Sequence, residues 1–309
     1  MKSFLTLIRY RNLLMIALLQ CIIRYAFLDM QGMPGALSGW QFILLVVSTV
    51  AIAAGGYTIN NILDKGTDEI NRPEKVVVGT SISEATAYNI YVALNVLGVG
   101  IGFYLANVIE KPAYAMIFIA ISGLLYLYAT GLKQTPLLGN IIIACLTSMS
   151  ILIIPVFELL PLITPDNQPV LGLIFGVLLD YAIFCFFLSL LREIVKDMED
   201  VDGDYNMGMR TLPIVLGIER TAKVIFIAGL LLTLAILYYI NEYYMTNDLY
   251  YGVIFSLVLI IGPMIYFLIK VWTAKSRSAF GHLSNILKLV MLAGILSILV
   301  VSYNIANHA

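Results

Sequence analysis

An all-α polytopic membrane protein, a bundle of nine transmembrane helices with a cleft on the cytosolic side, is the fold class this chain predicts, and three observations predict it. Of its 309 residues 61% are hydrophobic and 12% charged, whereas soluble domains are about a quarter charged. Nine apolar runs approach the roughly 20 residues needed to cross a hydrocarbon core. The basic residues fall almost entirely on one side of those runs, the bias of cytoplasmic loops. Spans that pack together fold as one unit, so residues 1–309 are expected to form a single domain. The net charge of −1 says nothing useful about partners, and no nucleic acid is expected.

The runs lie at 12–29, 39–63, 85–107, 113–132, 139–162, 170–191, 222–241, 249–271 and 285–306. Met1 to Arg11 carries Lys2, Arg9 and Arg11. The run that follows lacks a small-residue cleavage site, so it reads as a first helix that stays. Arg24, near the end of that helix, is long enough to snorkel towards a surface. Gly98, Gly100 and Gly102 in the third run permit close helix packing. Pro155 and Pro161 soften the fifth. Asp180 lies well inside the sixth, where an acid is either functional or bonded to a neighbouring helix. Cys21, Cys145 and Cys185 sit in apolar runs without metal-ligand spacing, as buried small hydrophobes do. His282, in a loop, and His308, at the C-terminus, are the only histidines, so imidazole chemistry has little to work with.

Nine spans put the termini on opposite sides. With the N-terminus inside, 16 of the 18 Lys and Arg residues become cytoplasmic, and only Arg24 and Lys111 fall elsewhere. The same assignment brings two acidic stretches to the cytoplasmic face, one after the second span and one after the sixth. In the first, Asn60, Asp64 and Asp68 recur every four residues; on a continuing helix they form one row, drifting ~40° per step. In the second, Asp197, Asp200 and Asp204 are spaced three and four apart and again share a face.

Two such rows facing each other repel unless something cationic lies between them. Carboxylate oxygens without sulfur or imidazole suit Mg²⁺ or Ca²⁺, and Mg²⁺ commonly combines one or two carboxylates with phosphate oxygens of a substrate. Lys65, Arg72, Lys75, Lys133, Arg192, Lys196 and Arg210 supply the cations of a diphosphate site. Any one of these charges reads most simply as a helix cap or a loop cation. Two separated Asp rows of matching spacing do not, because carboxylates next to apolar spans are expensive to keep. A cation-coupled transporter is the competing class, but its ion sites belong near the midplane on broken helices.

These residues carry a resemblance. Asn60-x3-Asp64-x3-Asp68 with Asn71-Arg72-Pro73, and Asp200-x3-Asp204 after the sixth span, resemble the UbiA-type intramembrane prenyltransferases. So do Tyr128-Ala129-Thr130-Gly131-Leu132-Lys133, Arg210-Thr211-Leu212-Pro213 with Gly217, and the pair Arg9 and Asn12 entering span one. The second acidic stretch is most similar to the geranylgeranylglycerol-phosphate geranylgeranyltransferase branch, which joins an isoprenoid to a glycerol hydroxyl. The chain departs from many relatives at Val76 and Val78, where they have prolines.

The resemblance implies a membrane-embedded enzyme whose Asp64, Asp68, Asp200 and Asp204 hold two Mg²⁺ ions against the diphosphate of a prenyl donor, with Asn60 and Asp197 assisting. It implies Arg72, Lys133 and Lys196 as neutralising cations, Arg9 or Arg210 on donor or acceptor, and a lipophilic acceptor reached from membrane lipid. Tyr57, Tyr128 and Tyr181 are candidates to face the reacting carbon. Aromatic prenyl transfer, as in quinone synthesis, is the alternative within enzymes.

Overall fold

The computed structural model describes residues 2–308; the side chains of Lys75 and His308 lie outside the described residues. Among the described residues, nine helices are long and apolar enough to cross a membrane. They are α1 (Tyr10–Gln31), α2 (Gly39–Leu63), α3 (Glu84–Val108), α4 (Pro112–Thr130), α5 (Leu138–Leu162), α6 (Gln168–Glu199), α7 (Ile218–Met245), α8 (Tyr250–Val271) and α9 (Arg277–Asn307). This is an integral, multi-pass membrane architecture.

Several helices outrun the apolar segments that announced them. The apolar stretch marks the depth of the hydrocarbon, while the helix continues wherever its backbone bonds remain satisfied. Thus α6 carries Arg192 to Glu199 as its last two turns, and His282 lies within α9, not in a loop, against the Tyr266 hydroxyl at 3.1 Å. Arg24 does not snorkel outward. Its side chain is 12% exposed and ion-paired with Glu158, which is fully buried, and with Asp29. The Glu158 carboxylate also accepts the Leu37 N–H at 3.1 Å. This pair ties the α1 end to the α5 end.

Two apolar cores hold the bundle. One gathers Phe42, Phe118, Ile154 and Phe157 from α2, α4 and α5. The other gathers Ile225, Met264, Phe267 and Leu287 from α7, α8 and α9. Helix α6 serves both, with Leu171, Ile174 and Leu178 in the first core and Leu188, Leu191 and Ile194 in the second. Cys145 is exposed along α5, while Cys21 and Cys185 are half-buried; all three are free thiols.

Helices α2 and α3 make the closest seam. A Cβ at Gly98 would lie 2.5 Å from Ile52 Cγ1 and 3.0 Å from the Ser48 carbonyl oxygen. The Ser48 hydroxyl donates to the Gly98 carbonyl at 2.6 Å. Gly102 is closed off by the Phe118 ring, whereas a Cβ at Gly100 would meet nothing within 4 Å. Two of the three glycines therefore serve packing and the third faces outward. Gly98→Leu is expected to lower stability by about 1–3 kcal/mol through overpacking, while Gly100→Leu stays close to wild type. Thermal unfolding of the two detergent-solubilised variants measures the difference, and equal melting points would contradict it.

Candidate active site

Helix α2 leaves helical geometry at Asp64 (φ −85°, ψ 3°) and resumes as a short helix, Lys65–Asn71. After α6 the same happens at Asp200 (φ −101°, ψ 8°), followed by Val201–Asn206. The expected unbroken rows are thus kinked, each at an aspartate. Their spacing survives, because the Asp64 N–H still reaches the Asn60 carbonyl and the Asp68 N–H the Asp64 carbonyl, both at 2.8 Å.

The side chain of Asn71 fastens the two short helices together. Its Nδ2 donates to the Asp200 carbonyl at 3.0 Å, and its Oδ1 accepts the Gly203 N–H at 3.1 Å. A Cβ at Gly203 would lie 2.6 Å from Asn71 Cγ, so only glycine admits this approach.

Between the hinges lies a cavity of about 350 Å³. Asn60, Asp64 and Asp68 line one wall, and Asp197, Asp200 and Asp204 the facing one. Arg9, Asn12, Arg72, Tyr128, Lys133 and Lys196 also line it, as do Tyr57 and Tyr181. Arg9 reaches in from a left-handed backbone (φ 49°) at the start of α1, and its guanidinium stands 5.3 Å from the Tyr57 ring centre. Deeper between the helices the lining turns apolar, with Leu19, Ile52, Phe118, Leu125 and Ile151.

Cations interleave the acids. Lys133 pairs with Asp64. Arg72 Nη2 donates to both oxygens of Asp200, at 2.8 and 2.9 Å, and lies 3.1 Å from Glu199. Asp197 accepts from Asn140 Nδ2 at 2.8 Å. Asn60 Nδ2 donates to Asp64 at 2.5 Å, which leaves its Oδ1 buried with no partner. Among the described residues no three acidic, histidine or cysteine side chains are placed to hold a metal ion by themselves. The donor set instead suits a hard cation that completes its shell with water and phosphate oxygens, as Mg²⁺ does. Asp64, Asp68, Asp200 and Asp204 with the unpartnered Asn60 oxygen fit that chemistry.

Burial, reinforced by the charges of Asp200 and Asp64, pushes the Asp204 carboxyl up to about 7, against the pull of Lys133 and Lys196. Burial and the Asp64 charge likewise raise Asp68, with Arg9 and Arg72 opposing. Burial in a half-dry cleft, with excess negative charge adding to it, is the common cause.

Three expected residues stand apart. Arg210 is exposed and outside the cavity; only its backbone N–H is engaged, by the Gln134 carbonyl at 3.1 Å. Lys65 turns to Glu84 at 3.2 Å. Asp180 faces a separate shallow groove beside Gly172, Gly176 and Tyr243. Conversely, Asn71, Asn140, Glu193 and Lys288 enter the site without having been singled out by position. Asn71 carried a signal as part of the Asn-Arg-Pro triplet, and Glu193 as part of the second acidic stretch.

The sequence pattern of the UbiA prenyltransferase family matches residues 20–300. The chain belongs to the UbiA prenyltransferase family. It is thereby an enzyme of the prenyltransferase class. A protein of Thermococcus gammatolerans named digeranylgeranylglyceryl phosphate synthase is 34% identical over 202 residues, 65% of this chain and 66% of the relative, so just under two thirds of that relative is spanned. The protein of that name from Saccharolobus solfataricus is 32% identical over 267 residues, 84% of each chain. A UbiA homologue from Archaeoglobus fulgidus, solved bound to GPP and Mg²⁺, superposes with a TM-score of 0.56 at 15% identity, covering 96% of this chain and 99% of that one. At that identity the likeness is one of fold.

Two outcomes are expected from this geometry. Gly203→Ala forces the short helices apart and is expected to cost about 1–3 kcal/mol of stability together with most of the prenyl transfer; the paired measurement is thermal unfolding and turnover of the purified variant. The second concerns protons. In the absence of metal the folded chain retains protons on Asp204 and Asp68 that unfolded carboxyls, near ~3.9, have released. Stability due to Asp204 therefore falls as pH rises from about 4 towards about 7 and levels off above. In EDTA, the gain in melting temperature from Asp204→Asn should grow from about pH 5 to about pH 8. A gain that shrinks over this range would count against the assignment.

Proposed function

We propose that this protein transfers a prenyl group from an allylic prenyl diphosphate to the hydroxyl of a geranylgeranylglyceryl phosphate-like lipid, with Mg²⁺ as cofactor and the cleft facing the cytoplasm. The observation that carries the reading is the pair of aspartate walls, Asp64 and Asp68 against Asp200 and Asp204, converging with Lys133 and Arg72 on one cavity. The names of the relatives and the one-sided distribution of basic residues support the acceptor and the orientation respectively.

Mg²⁺ held by Asp64, Asp68, Asp200 and Asp204, with Asn60 and Asp197 beside them, would neutralise the charge that builds on the departing diphosphate. Lys133 and Arg72, now paired with Asp64 and Asp200, exchange those partners for phosphate oxygens as the donor enters. Lys196 adds a third cation from α6. Tyr57, Tyr128 and Tyr181 line the cavity, and a ring face turned to a nearby allylic cation would steady it by roughly 1–2 kcal/mol when water is excluded. The C1–O bond of the donor breaks with its electron pair going to diphosphate. The acceptor oxygen forms the new ether bond to C1, and its proton leaves with the diphosphate. The apolar lining below, around Phe118, Leu125 and Ile151, accommodates the isoprenoid chain.

Purified protein given Mg²⁺, prenyl diphosphates of several lengths and a panel of glyceryl-phosphate and aromatic acceptors should yield the prenylated glyceryl phosphate, identified by mass spectrometry. An aromatic product in its place would transfer the assignment to quinone-type chemistry. Asp64→Ala and Asp200→Ala should each lower turnover by about 100-fold or more, the scale of losing an electrostatic stabiliser, while inserting normally. Full activity in both would falsify the metal-bridge model.

A further inference from the structure

The cavity has two electrical poles, and the aspartate walls account for only one. On its other side Arg192 of α6, Lys288 of α9 and Asn12 of α1 come together. Lys288 Nζ donates to Asn12 Oδ1 at 2.6 Å, and Asn12 Nδ2 donates to the Tyr57 hydroxyl at 3.2 Å. An ammonium has only protons to offer, so this contact fixes the amide with its oxygen towards Lys288. Among the described residues Lys288 has no carboxylate within ion-pair distance.

Arg192 spends one nitrogen on Glu193 at 2.9 Å, while its Nε is buried without a partner. Lys196 shares the same Glu193 carboxylate at 3.3 Å. Arg192, Arg11 and Lys196 all lie close enough to Lys288 to act on it electrostatically. Glu193 is thus shared by Arg192 and Lys196, and Asp197, one turn on, is engaged by Asn140. Positive charge gathered at the edge of an apolar medium demands an anion, just as the opposed aspartates demand a cation.

We infer that Arg192, Lys288 and Asn12 form a second anion subsite, which takes the phosphate of the lipid acceptor and leaves the diphosphate to the aspartate walls; this rests on the proposed function. What lies beneath the charges selects a lipid over a free ion. Below Lys288, Met291, Ile295 and Ile298 line the cavity from α9; below Arg192, Leu188 and Cys185 line it from α6. Steps of three and four residues keep each set on one helical face. An anionic head followed by an apolar tail matches this sequence of surfaces, whereas inorganic phosphate leaves the apolar part unused.

Full-length protein in lipid nanodiscs tests the inference with a prenylglyceryl phosphate and the same prenylglycerol lacking its phosphate. Wild type should prefer the phosphorylated acceptor through KM. Lys288→Met should raise KM for that acceptor by at least about tenfold, keep KM for the prenyl diphosphate within about twofold, and abolish the preference, while Lys288→Arg restores it. Hexadecyl phosphate, an unreactive probe applied to wild type, guards against a variant that fails to fold. It should compete with the acceptor and not with the diphosphate, and inorganic phosphate should inhibit far more weakly. Competition with the diphosphate, equal inhibition by inorganic phosphate, or a donor KM that rises with Lys288→Met would each overturn the subsite while leaving the proposed function standing. A wild type that prenylates 4-hydroxybenzoate and ignores both glycerol lipids would overturn the function and the subsite together.

Discussion

Repulsion between two carboxylate walls is the constraint on which the rest of the structure depends. Asp64 and Asp68 on one side and Asp200 and Asp204 on the other line a single cleft, and left alone they would push it open. Two ion pairs offset this, Lys133 with Asp64 and Arg72 with Asp200. The neutral Asn71 clasp supplies what charge cannot, a fixed relative position of the two short helices. Burial, with the charges of Asp200 and Asp64 behind it, raises the Asp204 carboxyl.

The bundle places this cleft with few special devices. Helix α6 contributes to both apolar cores, so the wall it carries is anchored from two sides. At the far end, the Arg24–Glu158 pair ties α1 to α5. Buried pairs of this kind add little net stability but are costly to break from one side, which favours one arrangement of the helices over near alternatives. Both hinges fall on an aspartate with ψ close to zero. The two acidic stretches therefore share a backbone conformation as well as a spacing.

How much of this was legible in the sequence follows from which forces act locally. The spans were readable because lipid imposes one demand on every turn of a helix. The aspartate rows were readable because spacing along one helix fixes a face. Contacts that close between distant segments left no trace. Lys288 and Asn12 are 276 residues apart, and nothing in either neighbourhood names the other. Arg24 looked like a surface seeker because its partner, Glu158, lies four spans away. Arg210 looked like a site cation because it follows an acidic stretch, but the chain has turned by then and its side chain points to solvent.

The Asn71–Gly203 clasp bears on how such enzymes can be recombined. It joins the segment after α2 to the segment after α6 through one amide and one residue without a side chain, so the two stretches form an indivisible pair. A chimera that crosses over between α5 and α6 would inherit half of the clasp from each parent and function only where both parents honour the same geometry. The apolar end of the cavity, by contrast, is open to exchange without disturbing that join.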